Sequence, residues 1–257
     1  MMSFWQTLFL ATIQGITEFL PISSSGHLAI FQNLFHLKSV IIFDIFVHVG
    51  TLISILFFFR KELINIIKGL LKKDKDNWHL FWLLVVGTIP AVIVGLFLNK
   101  WIELIFSSMR LIGVSFLITS FFLLLTIFLK EKKLSFKKIN WLDGLIVGLF
   151  QALAILPGVS RSGSTMVGSL ARGFKRELAF EFSFFLAIPA ILGALILQIP
   201  DLSSGEFHLA VPSILGMIIA AIVGYFSLKI LKKILLNSRL WFFSFYCFFL
   251  GLILIIF

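Results

Sequence analysis

The sequence predicts an all-α polytopic membrane protein, with six transmembrane helices plus two re-entrant helical hairpins in an inverted-topology repeat. Three observations predict it. Of 257 residues, 60% are hydrophobic, mean hydropathy is +1.08, and several apolar runs approach the ~20 residues that cross a ~30 Å hydrocarbon core. Of 22 Lys and Arg residues, 18 fall in four short patches at the ends of those runs. Two polar interruptions, 137 positions apart, share a pattern of Ser and Gly.

The first element is a hairpin over about 1–38. Its apolar arm, 4–20, ends at Pro21, which lacks an N–H and disfavours the helical conformation for Leu20. The polar turn "PISSSGH" follows, and the second arm, 28–37, is too short to cross. No Lys or Arg precedes Lys38, so the basic start of a cleavable leader is missing and this segment is expected to stay in the mature protein. Spans follow at 40–59, 80–98 and 111–129. A second hairpin over about 139–174 has arms 141–156 and 165–170 around "LPGVSRSGST". The last spans are 178–199, 211–228 and 240–257. These elements form one membrane domain, 1–257, with repeat halves of about 1–135 and 136–257. The single cysteine, Cys247, lies in the last run and has no partner for an internal disulfide.

The basic patches decide between spanning and re-entrant arms. They lie at 60–75, 130–138, 172–176 and 229–239, and basic residues at span ends mark cytoplasmic loops. Their position reads as topology signal and attraction to anionic lipid, not as a nucleic-acid surface, despite the net charge of +10. If 141–156 crossed the bilayer, the third and fourth patches would fall outside and the acidic loop "QIPDLSSGEFH" inside. If 139–174 enters and leaves on one face, all four patches are cytoplasmic and the loops 99–110 and 198–210 are external. Non-helical backbone at that depth needs protein or a wet cavity around it.

The hairpins are also related to each other. At an offset of 137, Gln14 meets Gln151, Ser23 meets Ser160, Ser25 meets Ser162 and Gly26 meets Gly163. Lys38 meets Lys175, Phe43 meets Phe180 and Asp44 meets Glu181, while Pro21 and Pro157 miss by one. This is an internal duplication. A hairpin plus three spans is an odd number of crossings, so the halves are inverted and their polar tips meet near the midplane.

Chemistry concentrates at the tips. Glu18 lies four residues after Gln14, on the same helical face. An ionised group at membrane depth costs about 2.5–3.5 kcal/mol on insertion scales and is a functional candidate by default. The plainer reading is a protonated or ion-paired acid. Ser23 or Ser24 can cap the second arm, and the helix start with its serine hydroxyls, Ser23 and Ser25, and the Gly26 N–H suits an anion. Ser24, between Glu18 and His27, is the candidate nucleophile, and His27 shares the same small polar loop. In the second tip Arg161 stands among Ser160, Ser162, Gly163, Ser164 and Thr165. A planar guanidinium among hydroxyls and glycine N–H groups suits a phosphate. The plainer reading locks Arg161 to Glu18, Asp44 or Glu181. Asp44 and Glu181 read as supporting residues, and His48 reads as a core histidine.

At "QGITEFLPISSSGHL" and "LPGVSRSGST" the sequence resembles the undecaprenyl-diphosphate phosphatase (bacitracin-resistance) family, and the likeness extends over essentially the whole chain. The family's Gln/Glu-x-x-x-Glu element falls on Gln14 and Glu18. Its Pro-Gly-x-Ser-Arg-Ser-x-x-Thr element falls on Pro157, Gly158, Ser160, Arg161, Ser162 and Thr165, and its serine and histidine fall on Ser24 and His27. Where some members carry glutamate this chain has Gln14, which leaves Glu18 as the one carboxylate for a metal.

The resemblance implies hydrolysis of undecaprenyl diphosphate to the monophosphate at the outer side of the bacterial cytoplasmic membrane, which recycles the lipid carrier for peptidoglycan synthesis. It implies catalytic Glu18, Ser24, His27 and Arg161. Ser23, Ser25, Gly26, Ser160, Ser162, Gly163 and Thr165 would hold phosphate, and Gln14 with Glu18 a divalent cation, Mg2+ or Ca2+. His27 would serve Ser24 as base or the leaving oxygen as acid. Expected partners are the polyprenyl diphosphate and membrane lipids, with no nucleic acid and a homodimer left open. Both termini are expected outside. The alternative is a polyprenyl-phosphate flippase or anion transporter using the same phosphate site.

Overall fold

The computed structural model of the chain describes residues 2–37, 40–130, 136–198 and 210–257. Lys38, the middle of the second basic patch, and the acidic connection 199–209, including His208, lie outside the described residues. Among the described residues the architecture is helical throughout, with no strand. In chain order the helices are α1 (Phe4–Thr17), α2 (Ser24–Leu34), α3 (Ile41–Phe58), α4 (Arg60–Leu71), α5 (Lys75–Phe97), α6 (Asn99–Phe106) and α7 (Met109–Leu125). After a short 3-10 turn, Phe136–Lys138, come α8 (Trp141–Leu153), α9 (Arg161–Ala171), α10 (Arg176–Gln198), α11 (Ala210–Leu236) and α12 (Phe242–Ile256).

Four helices, α3, α5, α10 and α11, are long and apolar enough to cross a membrane, while α7, α8 and α12 are shorter apolar helices. The expected runs at 111–129 and 240–257 form helices of 17 and 15 residues. α7 stops at Leu125, where the Thr126 hydroxyl donates to the Leu123 carbonyl over 2.6 Å. α12 begins late because the chain first turns at Ser238, whose φ is 59°. Two helices were not expected from the sequence. α4 occupies the first basic patch without a single buried residue, and α6 occupies the loop 99–110.

The hairpin arms differ from expectation at their inner ends. Both second arms begin sooner, at Ser24 and Arg161, so these residues stand in the first helical turn and not in the loop. The physical reason is the cap. Ser23 Oγ accepts the Gly26 N–H at 3.4 Å, and its repeat mate Ser160 accepts the Gly163 N–H at 3.1 Å. The outer ends are also set by capping, α1 by a reciprocal Ser3–Gln6 box and α8 by an Asn140–Asp143 box.

Each hairpin is seated against the opposite half of the chain. α1 packs on α11, α8 packs on α5, α3 also packs on α11, and α7 pairs with α12. The α5–α8 seam requires glycine, because a Cβ at Gly148 would stand 2.4 Å from the Gly87 carbonyl oxygen. At the centre Phe19, Phe180 and Phe184 are fully buried and stack edge to face at 4.9–5.6 Å. Part of the phenylalanine complement is therefore core, and other members, including Phe57, Phe97 and Phe121, line the outer surface.

Candidate active site

The two tips touch. The Gly158 N–H donates to Ser23 Oγ at 3.2 Å, and Ser162 Oγ reaches the Leu20 carbonyl at 3.4 Å. Any Cβ on Gly26 would lie 3.0 Å from the Gly158 Cα, and one on Gly163 would lie 3.2 Å from Pro21 Cβ. Gly168 packs against Phe150 within its own hairpin and takes no part in the approach. Ser23 and Gly158 both adopt positive φ, 66° and 96°. For serine this is an uncommon conformation costing on the order of 1–3 kcal/mol, the kind of strain that persists at functional sites.

Glu18 is the hub of the cluster. It caps the C-terminus of α1 and is 8% exposed. Its Oε2 accepts from Ser24 Oγ at 2.6 Å and from Gln14 Nε2 at 3.1 Å, and His48 Nε2 stands 3.9 Å away. Its Oε1 pairs with Arg161 Nη2. Residues from α1, α2, α3 and α9 thus converge on one carboxylate, and the guanidinium and hydrogen bonds compensate its burial. The expected lock between Arg161 and an acid is present, with Glu18 as the acid.

Two polar atoms at this cluster have no protein partner although they are buried: Arg161 Nη1 and Gln14 Oε1. Buried unpaired polar atoms are rare and call for an explanation. Half of the Arg161 fork is committed to Glu18, whose other oxygen holds Ser24, and half is uncommitted. The amide oxygen of Gln14, the Glu18 carboxylate and the Ser24 hydroxyl are hard oxygens of the kind Mg2+ or Ca2+ takes, although Gln14 here turns its Nε2 to Glu18 and leaves Oε1 unpaired. No group of three or more His, Cys, Asp and Glu that could hold a metal occurs among the described residues. These oxygens are too few to enclose such an ion, so its remaining ligands would have to come from phosphate and water.

The other expected phosphate ligands divide. Ser25 is half-buried with its hydroxyl 3.4 Å from Ser23 Oγ. Ser160, Ser162 and Thr165 are at most 1% exposed, and their hydroxyls serve the protein itself. Ser160 caps α9, Ser162 lies 3.3 Å from it, and Thr165 meets Ser183 Oγ of α10 at 2.5 Å. His27 is not brought to Ser24. Its Nδ1 lies 2.7 Å from the Ser23 carbonyl and its Nε2 lies 2.6 Å from the Tyr246 hydroxyl, so both ring nitrogens are engaged elsewhere.

Three residues at the site were passed over in the sequence. His48 looked like a core histidine, but its Nδ1 bonds to the Asp44 carbonyl at 2.7 Å and its Nε2 faces Glu18. Its four-residue spacing from Asp44 was the available signal. Asp44 accepts from Gln32 Nε2 at 2.7 Å and so ties α2 to α3, whereas Glu181 lies half-buried on α10. Thr119 of α7 holds the second tip, with its hydroxyl 2.9 Å from the Gly158 carbonyl and 3.0 Å from the Ser160 nitrogen. Tyr246 of α12 is the third, and nothing local in the sequence marks it.

Comparison with known proteins gives the family. Residues 7–253 match the family described as bacitracin resistance protein BacA. The chain belongs to that family. A protein of Thermosipho africanus named undecaprenyl-diphosphatase is 42% identical over 246 residues, which cover 96% of this chain and 97% of the relative. A protein of the same name from Carboxydothermus hydrogenoformans is 41% identical, covering 99% of this chain and 97% of the relative. One from Methanococcus maripaludis is 40% identical, covering 95% and 96%. The shared family thus includes both tips and the α12 segment that carries Tyr246.

Proposed function

We propose that this protein is a membrane phosphatase that hydrolyses undecaprenyl diphosphate to undecaprenyl phosphate and inorganic phosphate, and so returns the lipid carrier to peptidoglycan synthesis and confers bacitracin resistance. The observation that carries this reading is the half-committed Arg161 fork beside the Ser24–Glu18 hydrogen bond. A nucleophile, a base and a hydrogen-bond donor for phosphate stand together at the joined tips.

Glu18 Oε2 takes the Ser24 proton as Ser24 Oγ attacks the terminal phosphorus. The bond to the bridging oxygen breaks, and the polyprenyl phosphate leaves with the electron pair. Water then attacks the phosphoserine, Ser24 Oγ departs and recovers its proton from Glu18, and inorganic phosphate is released. Arg161 Nη1 binds an equatorial oxygen as charge moves onto the phosphoryl group, and the N–H groups at the start of α2 assist. Gln14 and Glu18 are the residues that would hold a divalent cation, which neutralises diphosphate charge when bound. Positioning and charge stabilisation carry such a transfer.

In this reading α1–α2 and α8–α9 are re-entrant hairpins within one membrane domain. The longer helices α3, α5, α10 and α11 span together with α7 and α12. The chain lies in the bacterial cytoplasmic membrane with both termini outside and the α1–α2 tip open outward. Every residue of the site comes from one chain, so a second copy is not required for the chemistry. A lipid carrier is the second reading, favoured by the tip-to-tip meeting of the hairpins. Phosphate release from purified protein, given a polyprenyl diphosphate with and without EDTA, decides between them. Release that EDTA abolishes and Mg2+ or Ca2+ restores is the expected result, and a carrier releases none.

A further inference from the structure

Both ring nitrogens of His27 are engaged away from Glu18, one by the Ser23 carbonyl and one by Tyr246. In the neutral ring a carbonyl acceptor obliges Nδ1 to carry the proton, so Nδ1 donates to Ser23 and Nε2 keeps its lone pair. The 2.6 Å contact is then a donation from the Tyr246 hydroxyl to Nε2. The rings are nearly parallel, 6° apart with centroids at 5.7 Å, and Phe116 closes the other side edge-on at 5.4 Å. His27 is therefore gripped by α12 and α7, while it holds the carbonyl of the strained residue that precedes Ser24.

The same two helices hold both tips. Cys247, next to Tyr246, has its sulfur 3.9 Å from the Pro21 carbonyl, and Thr119 of α7 holds Gly158 and Ser160. Ser120 Oγ donates to the Ser244 carbonyl at 2.8 Å and locks α7 to α12. Ser23 in turn receives the Gly158 N–H and so ties the first tip to the second.

We infer that Tyr246 is a positioning residue, which acts through His27 to hold Ser23 at positive φ and Ser24 against Glu18. This rests on the diphosphatase reading proposed above. His27 is then a positioning residue too, and its lone pair is occupied by Tyr246 and not by the Ser24 proton.

The test is Tyr246→Phe, which keeps the ring and removes only the hydroxyl. With rates scaled to the folded fraction from thermal unfolding, kcat should fall about tenfold while KM stays within about twofold, because the Arg161 contacts are untouched. In a His27→Gln background, Tyr246→Phe should give no further loss. Histidine 15N spectra, with the His27 signals assigned by subtraction of His27→Gln, should show a protonated Nδ1 in the parent and a displaced Nε2 resonance in Tyr246→Phe. Parental kcat in Tyr246→Phe overturns the inference. An equal loss in both backgrounds, or an unchanged Nε2 resonance, does the same. If the parent releases no phosphate at all, the diphosphatase reading fails instead, and the spectra still report on the Tyr246–His27 contact.

Discussion

Ser24 donates its hydroxyl proton to Glu18 across 2.6 Å, although the two residues belong to different helices and Pro21 lies between them. The contact exists because α1 ends one residue before Glu18 and α2 begins at Ser24, so the five residues 19–23 fold the acid back over the hydroxyl. A hydroxyl already bonded to a carboxylate is arranged for attack. Ser24→Ala should therefore lose nearly all turnover. A quenched reaction of the parent with labelled diphosphate should carry the label on serine. Substantial turnover in Ser24→Ala would assign the attack to water, with Glu18 still the base.

Arg161→Lys should lower activity about 10²–10³-fold, the scale of removing one transition-state donor. A lysine can pair with Glu18 or reach the phosphate, but a point charge cannot do both as the planar fork does. Steady-state rates on the parent and variant decide this. Near-parental turnover would remove Arg161 from the phosphate.

Glu18→Gln should abolish activity at every cation concentration, because it removes both the proposed base and the carboxylate that Gln14 contacts. Gln14→Glu should retain activity with an equal or lower cation requirement, since a second carboxylate binds a hard cation more tightly. A metal titration of both variants checks the pair. The opposite ranking would make Glu18 structural.

Much of this arrangement could be read from the chain, and the reasons are local. The 137-residue offset pairs Ser23 with Ser160, and both turn out to cap the short second arm of a hairpin. Glu18 and Arg161 stood out because an unscreened charge among apolar runs demands a partner. Contacts that arise only when distant helices meet were not legible. Tyr246 reaches His27 from α12, Thr119 reaches Gly158 from α7, and the ring of His27 could not be oriented without them. His48 sat in an apolar run, where periodicity favours packing over chemistry. α4 was hidden because its charges suggested a loop, while Ile64, Ile67 and Leu71 gave it the spacing of a surface helix.

Gly148→Ala should destabilise the fold by about 1–3 kcal/mol, since its Cβ would press on backbone that cannot move aside. Gly193→Ala is the matched control. It lies in a helix with nothing within 4 Å of the added Cβ, and should be neutral or slightly stabilising. Thermal unfolding midpoints in one detergent measure both. Equal midpoints would mean that the α5–α8 seam can open without loss.

The proposed sidedness rests on the basic patches. A single cysteine at Ser25 should react with an impermeant thiol reagent added outside intact cells, and the buried Cys247 should not contribute background. A water-soluble short-chain diphosphate should be hydrolysed from outside. Labelling from the cytoplasmic side alone would reverse the proposed orientation.

The seating of each hairpin on the opposite half also bears on how the protein is made. The ribosome delivers the amino end first. α1 and α2 reach the bilayer while their supports on α11 and α12 are still untranslated. Glu18 then waits without Arg161, the counter-charge that its burial requires. Translation of α9 supplies the cation, α11 supplies the seat for α1, and α12 closes over His27 last. A nascent chain stalled anywhere before α12 would already hold the nucleophile and its acid, and still lack the grip that orients them.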